Sequence, residues 1–252
     1  MLRGVVGVMT DIDDTLTREG AIEPAALQAL TDLYAASVPV VAITGRPLGW
    51  SRPFAKAWPV AAVVAENGGV ALIRSGDALT TEYAQDHTTR AENSRRLRAV
   101  VQRLAGQVPG AQLAQDSPGR ATDIAIDHSE FTHLPYADIA RVVALMQDAG
   151  MTATVSSIHI NGWFGTHNKW TAARWMVQRL FGRELQGEIG RWIYVGDSPN
   201  DQMMFQHFPL SVGVANLRRF ASELTAWPTY ITRAERGEGF AELTRKLLSS
   251  RD

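Results

Sequence analysis

Cysteine is absent from this chain of 252 residues. Its absence excludes disulfides, thiolate metal sites and a cysteine nucleophile. It also fits a reducing compartment, and the cytoplasm is the expected location. An excess of either charge is missing too: 25 Lys and Arg stand against 26 Asp and Glu, a net charge of -1. A nucleic-acid partner normally needs a basic surplus, so none is expected. No apolar stretch approaches the roughly 20 residues of a membrane span. The short apolar run from Gly4 to Met9 is stopped by Asp11, too early for a secretory segment. Like-charge runs, low-complexity tracts and internal repeats are also lacking.

What the chain does have is 45% apolar residues, enough for a substantial core. Gly4 to Thr10 is apolar almost throughout, as a buried central strand of a parallel sheet should be. A polar, acidic turn from Asp11 to Glu19 follows. Leu27, Leu30, Leu33 and Tyr34 then recur at helical spacing, which predicts a helix over 24–36. Further strands are expected at 39–43 and 60–65. Strand alternating with helix argues for βαβ units in a doubly wound sheet. The rhythm changes near Gly76. A long polar helix from His87 to about Ala105, a strand over 122–127, a helix over 136–148 and a strand over 152–160 read as an inserted unit. The earlier rhythm resumes with a helix at 168–181, strands at 192–195, 210–214 and 229–232, and a closing helix at 239–249. The expected architecture is therefore α/β. A doubly wound, parallel-sheet (Rossmann-like) core at 1–77 and 164–252 carries a small α+β cap at 78–163.

Sites in such a sheet form at the carboxyl ends of the strands, and four polar motifs fall there. Asp11 and Asp13 lie two residues apart, so on extended backbone their carboxylates point the same way. Such a pair is tolerable beside a divalent cation, or with one member protonated. Phosphoryl transfer uses both roles, one carboxylate attacking phosphorus and the other moving a proton. A solvated acidic turn ahead of a helix is the plainer reading of that motif. Thr44-Gly45 offers a hydroxyl and an open N–H to a phosphate oxygen, or simply ends a strand. Lys169 at a helix start can neutralise a phosphoryl group, or be an ordinary surface lysine. Gly196-Asp197-Ser198-Pro199-Asn200-Asp201 supplies hard oxygen ligands of the kind Mg²⁺ prefers, or an acidic helix N-terminus.

Taken in order, these motifs resemble the haloacid-dehalogenase-like superfamily. Asp11, Asp13 and Thr15 match its Asp-x-Asp-x-Thr, Thr44 its second motif, Lys169 its third, and Gly196, Asp197 and Asp201 its fourth. Asp14 departs from the pattern, since many members have Gly there, and it adds charge beside the metal. The insert between the second and third motifs, with Glu66-Asn67-Gly68-Gly69 and Val214-Ala215-Asn216, resembles subfamily IIB with its type-II cap. That subfamily includes sucrose-phosphate, trehalose-phosphate and mannosyl-phosphoglycerate phosphatases, and phosphomannomutases.

The resemblance implies a Mg²⁺-dependent phosphomonoesterase acting on a sugar phosphate or similar small phosphorylated metabolite. Asp11 would be the nucleophile and Asp13 the acid and base, with Thr44 and Lys169 completing the catalytic set. Mg²⁺ would be held by Asp11, the Asp13 carbonyl and Asp197, with Asp201 and Asn200 orienting the shell. Thr15, Gly45, Arg46, His159 and Asn161 are the expected substrate-side residues, and the indole of Trp163 is a candidate to stack on a sugar ring. A phosphosugar mutase shares the same core. A non-catalytic phosphate-binding module and an aspartyl-phosphate receiver are the readings from other classes. Oligomeric state is not legible.

Overall fold

A computed structural model describes residues 2–76 and 78–251, so Met1 and Asp77, which begin and end the first expected core segment, lie outside the described residues. Eight strands form the large sheet. From one edge they run Tyr230–Ile231, Leu210–Gly213, Trp192–Gly196, Gly7–Thr10, Val40–Ile43, Ala62–Ala65, Val70–Ser75 and Ala78–Tyr83. The first six are parallel and the last two antiparallel. The four innermost of the parallel strands are buried at every position, which explains why the sequence shows continuous apolar runs there instead of alternation.

Helices cover both faces. Pro24–Ala35, Leu48–Ala57 and Arg236–Ser249 pack one side through Leu30, Leu33, Ala55, Phe240 and Leu247. Lys169–Phe181 packs the other, placing Ala172, Ala173, Met176 and Val177 against Met9, Val41, Val64 and Trp192. Successive strands step away from Gly7–Thr10 first to one side and then to the other. The crevice for a ligand therefore opens above the carboxyl end of this strand.

Two strands of the large sheet were not anticipated, Val70–Ser75 and Ala78–Tyr83. They form a hairpin that extends the large sheet six residues past the boundary expected at residue 77. A second hairpin, Thr17–Arg18 with Ala21–Ile22, lies within the segment read as a plain polar turn and its continuation.

The inserted region builds its own four-stranded antiparallel sheet, in the order Thr152–Val155, His159–Trp163, Asp123–Asp127, Gln112–Leu113. Its helices, His87–Gln107 and Tyr136–Asp148, bury Leu97, Val100, Leu104, Val142 and Met146 against Ile124, Ile126 and Ile160. The period of two on these strands then sends Asp123, His159 and Asn161 to the opposite face, towards the large sheet. The single strand expected at 152–160 is in fact two. The chain reverses at Ser156–Ile158, where the Ser156 Oγ accepts the N–H of His159 at 3.0 Å.

Candidate active site

Asp11 follows the strand Gly7–Thr10 and donates its N–H to the Val195 carbonyl of the neighbouring strand at 2.8 Å. That bond anchors a nearly buried carboxylate, 4% exposed. Lys169 is the first residue of its helix. Asn168 caps that helix by accepting the Thr171 N–H at 2.9 Å, and so aims the lysine back across the sheet end. The Lys169 Nζ donates to Asp11 Oδ1 at 2.6 Å and to Asp201 Oδ1 at 2.7 Å.

Asp197 and Asp201 sit just past the strand Trp192–Gly196, and both are fully buried. One oxygen of Asp201 accepts the N–H groups of Asp197 and Ser198, at 2.9 and 3.2 Å. Its other oxygen accepts Lys169 and the hydroxyl of Tyr194. Gly196 is required here, because a Cβ would lie 2.4 Å from Asp201 Oδ2. Oxygens of Asp11, Asp197 and Asp201 all fall within 4.8 Å of one another.

Three buried carboxylates so close are electrostatically costly. Burial first, and then the neighbouring Asp201 and Asp13, raise the Asp11 pKa to about 8 despite Lys169. Burial, Asp11, Asp201 and Asp14 likewise push Asp197 well above the usual carboxylate range. Lys169 moves upward as well. Desolvation alone would lower it, but Asp11 and Asp201 outweigh that. A cluster of hard anionic oxygens with one internal cation fits a divalent metal ion, which would restore the ionised forms.

Asp13 is turned aside from this cluster. Its carboxylate accepts Arg46 Nε at 2.9 Å and Thr44 Oγ1 at 3.4 Å. Thr44 is held in turn by its own N–H on the Val64 carbonyl, and its Oγ1 accepts the Arg46 N–H at 3.0 Å. Gly45 lies so close to the inserted region that a Cβ would meet Asn161 Oδ1 at 3.1 Å. Its carbonyl accepts Asn161 Nδ2 at 3.2 Å and Arg120 Nη1 at 3.0 Å.

The inserted region is tied down through two carboxylates the sequence did not single out, Glu130 and Asp116, together with Glu66, Arg120 and Asp123. Arg46 donates to Glu130 at 2.7 Å and to Asp116 at 3.2 Å, and Glu130 pairs with His159 at 2.9 Å. Burial opposes ionisation of Glu130, but the bonds from His159 and Arg46 prevail and hold it at about 2. Glu66, fully buried, accepts the N–H groups of Leu48, Ala121 and Thr122 and the Thr122 hydroxyl. Arg120 pairs with Asp123 at 2.8 Å and Asp116 at 3.2 Å.

Asp11, Asp13, Gly45, Arg46, Ser156, His159, Asn161 and Asn200 are thus brought around one cavity. It keeps only about 10 Å³, roughly the room one water needs. A larger hollow of about 310 Å³ lies behind the linkers, against Tyr83, Gln85, His167 and Trp175, and contains none of these groups.

Two of the expected substrate-side residues lie away from this cavity. Thr15 is fully buried and lies outside the cavity, where its hydroxyl approaches Asp197 Oδ1 at 3.5 Å. Trp163, only 1% exposed, stacks on His167 and donates its indole N–H to the His167 carbonyl at 2.8 Å, so its face is closed to a sugar.

The chain is similar to known proteins. The haloacid dehalogenase-like hydrolase family matches residues 8–95. A phosphoglycolate phosphatase of Methanothermobacter thermautotrophicus is 29% identical, across 96% of this chain and 98% of its own. Among solved structures, a Thermoplasma acidophilum protein superimposes with a TM-score of 0.73 at 15% identity, covering 97% of this chain and 98% of that one. The Synechocystis sucrose-phosphatase, solved with sucrose and phosphate, gives 0.69 at 16% identity over 97% and 98%. The chain has the haloacid-dehalogenase-like hydrolase fold with a type-II cap. Its aspartate cluster and these relatives together support phosphatase activity.

Proposed function

We propose that the protein is a Mg²⁺-dependent phosphomonoesterase working through a phosphorylated Asp11. The observation that carries this is the convergence of Asp11, Asp197 and Asp201 within 4.8 Å, with Lys169 Nζ 2.6 Å from Asp11. Asp11, the Asp13 main-chain carbonyl and Asp197 would hold Mg²⁺, and Asp201 orients the shell. Bound there, Mg²⁺ supplies charge that keeps Asp11 ionised and offsets the phosphoryl oxygens.

Asp11 attacks phosphorus in line. The phosphorus–oxygen ester bond breaks, and Asp13 gives its proton to the leaving oxygen. Water then attacks the aspartyl-phosphate and passes a proton to Asp13, which releases inorganic phosphate, returns Asp11 to a carboxylate and Asp13 to its protonated form. Lys169, the Thr44 hydroxyl and the Gly45 N–H hold the equatorial oxygens as charge shifts. Arg46 seats Asp13 while gripping Glu130 and Asp116, so the acid is aligned when the cap is down.

The substrate is a small phosphorylated metabolite such as a sugar phosphate, and the leaving group is its free alcohol. Ser156, Ser157, His159 and Asn161 offer hydroxyl, imidazole and amide groups around the cavity, suited to hydroxyls. A second substrate reading, a two-carbon carboxylate such as phosphoglycolate, is favoured by the confined cavity and by the name of the full-length relative. A phosphate-release screen over sugar phosphates, phosphoglycolate and nucleotides, with isomerised sugar phosphate assayed in parallel, tests all of this. Phosphate release from none of them rejects the phosphatase reading. Isomerised sugar without phosphate release assigns a mutase.

A further inference from the structure

Asp14 lies beside the aspartate cluster, and nothing in the proposed reaction uses it. Its backbone is left-handed, with φ at 54°, a conformation that Asp tolerates but Gly adopts freely. The side chain is held by two arginines: Arg219 Nη2 donates to Asp14 Oδ2 at 2.7 Å, and Arg236 Nε to Oδ1 at 2.8 Å. The same Arg219 nitrogen lies 3.4 Å from Asp197 Oδ2. It therefore stands between Asp14 and a carboxylate of the metal cluster, and it is nearer to Asp14.

The remaining contacts fix this geometry. Asn216 Nδ2 donates to the Asp14 carbonyl at 2.9 Å and to Asp197 Oδ2 at 3.2 Å, while its Oδ1 accepts the Arg236 N–H at 2.9 Å. Arg219 itself is poorly confined. Its side chain is 40% exposed, and its guanidinium rests 5.0 Å over the Phe220 ring. Asp197, by contrast, is buried. Asp197 is the other carboxylate that Arg219 already meets, so without Asp14 it is the partner left within reach of this guanidinium.

We propose that Asp14 is a latch that draws Arg219 off Asp197 and so preserves the affinity of the aspartate cluster for its divalent cation. This rests on the metal reading given above. Without Asp14, Arg219 turns onto Asp197 and neutralises charge that Mg²⁺ needs. Asp14 and Arg219 are positioning residues, since neither touches the substrate.

The test is Mg²⁺ binding to the full chain, read by calorimetry and by the Mg²⁺-induced rise in Tm, with no turnover required. Asp14→Gly suits the left-handed backbone and keeps the main-chain carbonyl that Asn216 binds. It should raise the Kd for Mg²⁺ about tenfold, the scale of one charge moved closer to a metal ligand. Arg219→Ala should lower the Kd. In the double variant the loss caused by Asp14→Gly should vanish, because no arginine remains to move. An unchanged Kd in Asp14→Gly overturns the latch. So does a weaker Kd in Arg219→Ala, or an Asp14→Gly loss of equal size with and without Arg219, which would make Asp14 a plain attractive charge. A wild-type chain that takes up no Mg²⁺ overturns the metal reading itself, and the latch with it.

Discussion

The two halves of the cavity are built on different principles. On the sheet side, each charged group stands at the end of a buried strand or the start of a helix and is aimed by backbone bonds: Asp11 through Val195, Asp201 through Asp197 and Ser198, Lys169 through its capped helix. On the cap side, groups are aimed by one another. Arg46 holds Asp13, Asp116 and Glu130, and Glu130 holds His159. Backbone anchoring gives a rigid site that keeps unfavourable charges together. Side-chain pairing gives a contact that can break and reform without disturbing the backbone. Chemistry belongs with the first, and closure with the second.

Breaking the sheet side should have the largest effect. Asp11→Asn removes the proposed nucleophile while keeping its shape. Turnover should fall at least about 10³-fold, with an unchanged circular dichroism spectrum. A variant retaining near-normal phosphate release would sink the nucleophile assignment. Removing the metal comes next. Chelation should bring the rate to background, and Mg²⁺ should restore it. Asp197→Ala should raise the Mg²⁺ needed for half-maximal rate by about 10–100-fold. A chelated enzyme at full rate would contradict the site.

The contrast between the halves also decides what was legible in the sequence. Short spacings carry the sheet side: Asp11 with Asp13, Thr44 with Gly45, and Asp197 with Asp201 each sit within one turn at an apolar strand end. The polar partners across the cleft are separated by long stretches of chain. Arg46 and Glu130 are 84 residues apart, and Glu66 reaches Thr122 across 56. No local pattern marks such pairs. The cap strands alternated visibly at 123–126, and that face was readable. The reversal at Ser156–Ile158 was not, because it contains no Gly, Pro or Asn between two β-prone runs. Tyr194 was hidden for the opposite reason. In an apolar strand it reads as core, yet its hydroxyl reaches Asp201.

Breaking the joint between the halves should cost less than breaking the sheet side. Arg46→Ala leaves Asp13, Asp116 and Glu130 without their shared cation. Turnover should drop about 10–100-fold, the scale of a lost charge-assisted bond. Arg46→Lys should rescue only part of this, since a compact ammonium lacks the planar fork with which the guanidinium spans these carboxylates. Full rescue would reduce Arg46 to a simple counter-charge.

The sheet side also predicts a pH signature. The folded-state pKa of Asp11 is about 8, against 3.8 for an unperturbed aspartate, so the folded chain holds the extra proton between those values. Stability contributed by that proton is present at low pH and lost as pH rises towards about 8. Metal-free protein should therefore show Tm falling from pH 5 to pH 8, and saturating Mg²⁺ should flatten the slope. Asp11→Asn should reduce it without metal, leaving the share that buried Asp197 and Asp123 contribute. A slope indifferent to both would mean that Asp11 is ionised throughout.

The smallest expected effects separate two neighbours on one cap strand. His159 and Asn161 share a face, and both line the cavity, but they are wired differently. His159 bonds Glu130, wholly within the cap. Asn161 bonds the Gly45 carbonyl, in the turn proposed to hold phosphate, and also Asp123. His159→Ala should therefore raise KM for the preferred substrate by about 3–10-fold, the scale of one hydrogen bond to a charged or polar group. It should leave a small generic phosphate ester within about twofold, because that ester needs only the sheet side. Asn161→Ala should slow both substrates to a similar degree, since it loosens the turn that every phosphate meets. Equal behaviour of the two variants would show that the cap strand acts as one unit, and that the division between anchoring and closure does not run between these residues.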